Sequence, residues 1–393
     1  MIANQPIRTC RTLAPTLLLA ILALALPARA QLTVLYSFSG ADGSEPSSPL
    51  ILDAQGNLYG ATAAGGVEQQ GAVFKLAPDG TESVIYSFHG GSDGSWPVGL
   101  ILAGDGNFYG TTRLGGTPRS EGQGTVFKLT PQGEETVLYV FTGQADGGEP
   151  MAGVVMDAQG NLYGTTYYGG SAACGSCGVV FKVDPKGTET VLHTFTGKSD
   201  GAYSTAGLVF DGAGNLYGTT TYGGMKGWGT IFMLAPEGGE TILYNFLNSG
   251  DGANPDDTLI FDEQGNLYGT TVPLLSSPTP YGTVFKFTPS SSTLTTLYAF
   301  GNKAAGAYPY GPLTLDNQGD LYGTTFEATN GHSYHGTVFE ITLKGKLKTL
   351  HHFERKNGNH PNQGITLSTE GTIYGTASTA GLHGSGTVFS LMP

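Results

Sequence analysis

Charge and sulfur are scarce in this chain. Only 12 % of its 393 residues are charged, and 18 basic residues stand against 31 acidic ones. A chain so poor in charge, yet 10 % aromatic, is not a disordered one, which needs high charge and little apolar surface. The shortage of Lys and Arg, at a net charge of −13, excludes the basic stripe that nucleic acid or an anionic lipid surface requires. There is no GxxxxGK[ST] phosphate cradle and no HExxH metal pair. GGSDG at residues 90–94 matches GxSxG in form, but it lies in a repeated loop and not on a strand-to-helix elbow. Paired carboxylates for glycoside hydrolysis would have to come from distant parts of the chain, and nothing singles out a pair.

Long apolar runs are also missing, apart from residues 16–26 (TLLLAILALAL). That run is short for a bilayer span. It follows Arg8 and Arg11 and precedes Ala28-Arg29-Ala30, the pattern of a secretory signal cleaved before Gln31. Cleavage would remove three Arg, Cys10 and no acid. Residues 31–393 would then keep 15 basic against 31 acidic residues, net −16. The expected product is exported, extracellular or periplasmic, monomeric, and without a membrane span once the signal is gone. Its surface would suit neutral glycans, cations or basic partners rather than phosphates. In an oxidising compartment the CGSC pair, Cys174 and Cys177, reads as a small loop disulfide, with free or metal-binding thiols as the alternative.

What the chain has in abundance is Gly, 63 residues, and repetition. GN(L/F)YG occurs at 56–60, 106–110, 160–164, 214–218 and 265–269, with GDLYG at 319–323 and GTIYG at 371–375. The Tyr residues are spaced 50, 54, 54, 51, 54 and 52 apart. A second anchor, (T/A/V)(V/I)F, ends at Phe74, Phe127, Phe181, Phe232, Phe285, Phe339 and Phe389. A third, like LYxF, ends at Phe38, Phe88, Phe141, Phe195, Phe246, Phe300 and Phe353.

Each unit holds four candidate strands, which in the second unit are 98–102, 107–112, 124–129 and 135–141. DxxGN turns join the first two strands, since Asp bonds the backbone ahead of it and Gly supplies the positive φ. Segments such as APDG or TPQG join the last two. About 50 residues and four strands per unit predict a propeller blade. The first strand in the sequence, 32–38, is a fourth strand with no blade before it, and the last unit ends after its third strand. Pairing the two closes the ring and leaves no free edge. The expectation is an all-β, seven-bladed propeller of four-stranded blades in which the N-terminal strand completes the last blade. A β-helix solenoid is the alternative fold.

The unit GxDGxxP…LxxDxxGNLYGTTxxGG…GTVFKLxPxG…LYxF resembles the Gloeo_Verruco (GloVer) repeat of bacterial extracellular proteins over essentially all of residues 32–392. The resemblance implies export and repetition but no chemistry. The strand order is also similar to that of NHL-type propellers. By that analogy the loops entering each first strand share one face with the loops between second and third strands; this is called the upper face.

Candidate site residues fall on those loops. Asp42, Asp93, Asp146, Asp200 and Asp251 each precede a Gly. They read either as carboxylates around the channel mouth, holding calcium or sugar hydroxyls, or as caps of their own turns. Trp96, Tyr167, Tyr168, Tyr203, Tyr222, Trp228, Tyr281, Tyr308, Tyr310 and Tyr334 lie on the same loops. They would stack on sugar faces or pack between blades. Six of the eight His lie between 332 and 383. Of these, His332, His335, His360 and His383 read as metal ligands or as unrelated exposed side chains. The function expected is a secreted binding or adhesion module for an extracellular polysaccharide or envelope glycan. The alternatives are a propeller hydrolase or lyase, and a structural envelope protein with a protein partner.

Overall fold

The structure is a computed structural model, described over residues 31–117, 122–170, 174–272, 278–302, 304–328 and 335–393. The signal segment, His332 and Tyr334 lie outside the described residues. The chain forms seven antiparallel sheets in a ring. In the second blade the strands are Ser95–Leu102, Phe108–Leu114, Thr125–Leu129 and Glu135–Val140, paired in sequence order. In the first blade the innermost strand is interrupted, so Ser44–Pro46 and Ile51–Leu52 pair separately with Leu58–Ala64. The N-terminal strand Gln31–Ser37 pairs with Thr387–Met392, from Gln31 opposite Met392 to Ser37 opposite Thr387. The ring therefore closes as the repeat phase requires. Among the described residues no helix is long and apolar enough to cross a membrane.

The repeated residues are those that fix one blade on the next. The Phe ending each outermost strand meets, edge to face, the Phe of the following blade's third strand. Phe38–Phe74, Phe141–Phe181, Phe246–Phe285 and Phe353–Phe389 stand 5.0, 5.0, 5.4 and 5.1 Å apart, and all of them are buried. Such contacts add about 0.5–1.5 kcal/mol each beyond area burial. The last Gly of GNLYG is small for the same reason. A Cβ on Gly218 would lie 2.7 Å from the Phe232 ring.

Every pairing of third and fourth strands carries a β-bulge at the same place, between Val34 and Tyr36 in the closing pair and between Val137 and Tyr139 in the second blade. The bulge bends the outermost strand and increases its twist. That turns the bulge carbonyl toward the next blade. Ile85 O and Leu138 O lie 2.6 and 2.5 Å from where a Cβ of Gly133 or Gly187 would be. The Gly of the xPxG turn thus seats one blade on its predecessor.

At the upper face a further clasp repeats. The Gly before each third strand accepts the N–H of the Phe ending the fourth strand: Phe38 N to Gly386 O, Phe246 N to Gly229 O and Phe353 N to Gly336 O, at 3.0, 3.1 and 3.0 Å. At six of the seven junctions the next blade's Pro packs on that Gly, and at the one between the third and fourth blades Ser204 stands in its place. Gly229 has φ +94°, and a Cβ there would sit 2.3 Å from Thr220 O and 2.7 Å from Pro255 Cδ. Replacing Gly229 with Ala should cost roughly 2–3 kcal/mol through the forced left-handed backbone and the clash with the next blade. Gly212→Ala, where a Cβ meets nothing within 4 Å, should leave stability almost unchanged. Urea and thermal unfolding of the two variants measure the difference.

Candidate functional site

The upper mouth is built on one backbone position per blade. Glu45, Trp96, Glu149, Tyr203, Asn254, Tyr308 and His360 all have φ between +50° and +57°. A left-handed conformation in seven non-Gly residues is held because the surroundings dictate it. Each of these N–H groups donates to a carbonyl on the preceding blade's upper loop. Examples are Tyr203 N to Cys177 O, Asn254 N to Trp228 O and His360 N to His335 O, at 2.9, 2.9 and 3.1 Å. The entering loops and the loops between second and third strands therefore do share one face.

Aromatic rings fill most of that mouth. Tyr167 lies 4.7 Å from Tyr168 and 5.0 Å from Tyr203, and Tyr203 lies 6.1 Å from Tyr222. Further round, Tyr281 meets Tyr308, Tyr310 meets Phe326, and Phe326 stacks on His360 at 4.2 Å. On the other side the Arg113 guanidinium lies over Trp96 and pairs with Glu149 at 3.1 Å. Trp96, Tyr168 and Tyr222 keep 40, 39 and 38 % of their surface exposed, so a ligand can reach them. Trp228 differs. Its ring packs against the core between the fourth and fifth blades, and it contributes its carbonyl, not its face, to the mouth.

Two carboxyls lie below the rings, on the inner wall of the fifth blade. Asp256 accepts hydrogen bonds from Thr205 Oγ1 at 2.6 Å and Thr221 Oγ1 at 3.5 Å. Asp257 accepts the Gly311 N–H of the next blade. Both are part-buried, and Asp257 lines the channel cavity. Burial pushes Asp256 up to about 6 against the pull of the two Thr hydroxyls. Burial, then the neighbouring Asp256, raises Asp257 well above the ordinary carboxylate range. The Tyr310 phenol is pushed up to about 12 by burial and then by Asp256. Tyr167 is raised chiefly by burial, with Tyr168, Tyr222, Tyr203 and Asp256 adding to it. The carboxyl thus sits electrostatically between the tyrosines of the third, fourth and sixth blades. Beneath the mouth, Pro49, Gly99, Ala152, Gly207, Asp257, Pro312 and Gln363 line a channel cavity of about 250 Å³. That is below the roughly 300–1,000 Å³ of pockets that enclose a drug-sized ligand.

The carboxylate ring read from the Asp-Gly loops is corrected by the structure. Asp42, Asp93, Asp146 and Asp251 turn outward, to the outermost strands. They accept from Tyr36, Tyr86, Tyr139 and Tyr244 at 2.5, 2.9, 3.0 and 3.0 Å, and from backbone N–H groups of their own turns. Asp200 is capped by the N–H and hydroxyl of Thr196. All five close their own loops at the circumference, as local turn chemistry favours. Of the histidine set, His335 bonds Asn359 at 2.6 Å, His360 stacks on Phe326, and His383 is exposed. Among the described residues these three enter no group of metal-holding geometry. Cys174 and Cys177 are joined in a disulfide on the upper loop of the third blade.

The chain resembles known proteins in fold more than in sequence. The Gloeobacter/Verrucomicrobia repeat matches residues 24–177 and 174–389. No curated protein matches the chain. Among solved structures it is similar to an oligogalacturonate lyase in complex with manganese, at TM-score 0.57 and 11 % identity over 92 % of this chain and 93 % of that one. An oligogalacturonate lyase from Vibrio parahaemolyticus gives 0.56 and 11 % over 93 % and 94 %. The extracellular domain of a hybrid two-component system from B. thetaiotaomicron gives 0.56 and 14 % over 93 % of this chain and 41 % of that one. At such identities the likeness is one of fold.

Around the circumference, burial pushes Glu82, Glu135 and Glu189 up to about 7, and the facing Asp42, Asp93 and Asp146 add to the rise. A carboxyl raised on folding stabilises the protein below its ordinary value, and that contribution is lost as pH rises through about 7. The lowered Asp53, Asp157 and Asp211 act oppositely, losing their contribution as pH falls below about 4. Thermal stability should therefore peak near pH 5 and decline toward pH 8. A Glu82→Gln, Glu135→Gln, Glu189→Gln variant should flatten the decline. A wild-type melting temperature that does not fall between pH 5 and pH 8 would contradict this assignment.

Proposed function

The chain belongs to the Gloeobacter/Verrucomicrobia repeat family, and from that footing we propose that it is an exported binding module. Its upper mouth takes an uncharged stretch of extracellular polysaccharide or envelope glycan. One observation carries this reading. Residues that hold blade to blade repeat almost unchanged, whereas the left-handed mouth position takes five residue types in seven blades: Glu45, Trp96, Glu149, Tyr203, Asn254, Tyr308, His360. A frame that needs only the backbone conformation there leaves the side chains free for another task. The rings clustered at Tyr167, Tyr168, Tyr203 and Tyr222 offer flat apolar faces beside hydroxyls, which suits the two sides of a pyranose. The chain's net charge of −13 favours a neutral over a polyanionic glycan. Two structurally similar proteins are oligogalacturonate lyases, which supports a carbohydrate-related role for a propeller of this kind.

A second reading rests on the Asp256–Asp257 pair. A carboxyl with its pKa near 6 beneath a binding surface is poised for proton transfer at mild pH. In that case bound glycan is also cleaved, and Asp256→Asn would stop turnover while sparing binding.

Residues 31–393 should bind at least one neutral polysaccharide in a panel read by affinity electrophoresis and calorimetry. Tyr203→Ala and Tyr222→Ala should each weaken binding roughly tenfold. Asn317→Ala, on an exposed turn of the opposite face, should leave it unchanged. Undiminished binding by the Tyr double variant would refute the site. A panel without any hit would refute the glycan reading in favour of a protein partner.

A further inference from the structure

The outermost strands carry a third kind of position, independent of what the mouth binds. The LYxF segment presents Tyr36, Tyr86, Tyr139, His193, Tyr244, Tyr298 and His351 at equivalent places. In four of them the phenol donates to the Asp of the following loop. At the boundary between the third and fourth blades an imidazole takes the place of the phenol, while both carboxylates remain. His193 Nε2 lies 3.5 Å from Asp200 Oδ2 and 3.5 Å from Glu240 Oε1, the latter on the next blade.

Those separations are long for hydrogen bonds. Neither His193 Nε2 nor Glu240 Oε1 has a hydrogen-bond partner, although both atoms are enclosed. The three donor atoms all lie within 4.8 Å of one another, and among the described residues this is the one group with such geometry. Ligands at about 2.1 Å from a tetrahedral ion stand about 3.4 Å apart, which is the spacing found for both carboxylates about the imidazole. Thr196 fixes Asp200 with its N–H at 2.7 Å and its hydroxyl at 2.6 Å, the kind of outer support that metal ligands receive. The side chains of His193, Asp200 and Glu240 stay 19, 14 and 12 % exposed, so the site lies near solvent although its Nε2 and Oε1 atoms are enclosed.

We propose that His193, Asp200 and Glu240 form a site for one divalent transition-metal ion, zinc or manganese by donor type, that ties the third blade to the fourth. The ring contains its own control. His351 occupies the same strand position, but its loop offers Asn357, whose amide lies 3.0 Å from the imidazole Nε2. That histidine has an amide where His193 has a carboxylate.

Residues 31–393 stripped with chelator should take up one equivalent of Zn2+ or Mn2+ in calorimetry. Co2+ in the same site should give visible ligand-field absorption. His193→Tyr restores the phenol used elsewhere in the ring, so it should keep the native circular dichroism and lose the binding at least tenfold. Glu240→Gln should weaken it by a similar factor, and His351→Tyr should leave stoichiometry and affinity unchanged. Absence of saturable binding of all three ions at micromolar concentration would overturn the proposal, as would undiminished binding by folded His193→Tyr.

Discussion

Everything in this ring depends on the clasp at the upper end of each blade junction. One Gly accepts the N–H of the Phe that ends its own blade's outermost strand, and at six of the seven junctions the next blade's Pro lies where its side chain would be; at the seventh, Ser204 takes the place of the Pro. One residue before that Pro, a left-handed backbone delivers its N–H to the preceding blade. Each contact is modest, on the order of 1 kcal/mol for a hydrogen bond. They are repeated around a closed circle, and closure leaves no edge strand unpaired. The Phe pairs and the bulge carbonyls make the same junction from inside and from the circumference. Because the clasp uses backbone groups, Gly and Pro, it makes few demands on the side chains displayed beside it.

That division explains what could be read from the sequence. The repeat spacing, the four strands per unit, the turn chemistry and the spare N-terminal strand are all consequences of local rules, so they were legible. In the second unit the expected strand at 98–102 begins three residues earlier, at Ser95, because pairing with the second strand continues into the entering loop. The roles of the Asp-Gly loops were not settled by sequence. Cap and ligand use the same residue at the same turn, and only the direction of the side chain separates them. All five Asp side chains turn to their own loops, and Asp200 also faces the His193 imidazole together with a carboxylate of the next blade.

The positions proposed to bind break the repeat, and there the sequence carries a signal that is easy to pass over. Asp256-Asp257 follows Pro255 where the other blades have Ser, Val, Met, Thr, Tyr or Asn. A doubled acid in the part-buried segment that leads into the innermost strand Ile260–Phe261 is costly unless it is used. His193 appears as LHTF among segments that mostly read LYxF. Its two carboxylate neighbours come from different blades, 7 and 47 residues away in sequence, so no spacing motif could have joined them. The tyrosine cluster was visible as residue types on loops. That Tyr167, Tyr203 and Tyr222 touch, while Trp228 turns to the core, follows only from packing.

The central claim is that the frame is fixed by backbone and Gly contacts while the mouth is free to recognise a glycan. Hydroxyl-radical footprinting tests it most directly, because the reagent modifies exposed Tyr and Trp rings. The measurement compares residues 31–393 alone and saturated with the neutral oligosaccharide that binds most tightly. Trp96, Tyr168, Tyr203 and Tyr222 should be protected, with Tyr86 and Tyr139 at the circumference unchanged. Protection at the circumference or on the opposite turns, with the mouth still reactive, would contradict the claim.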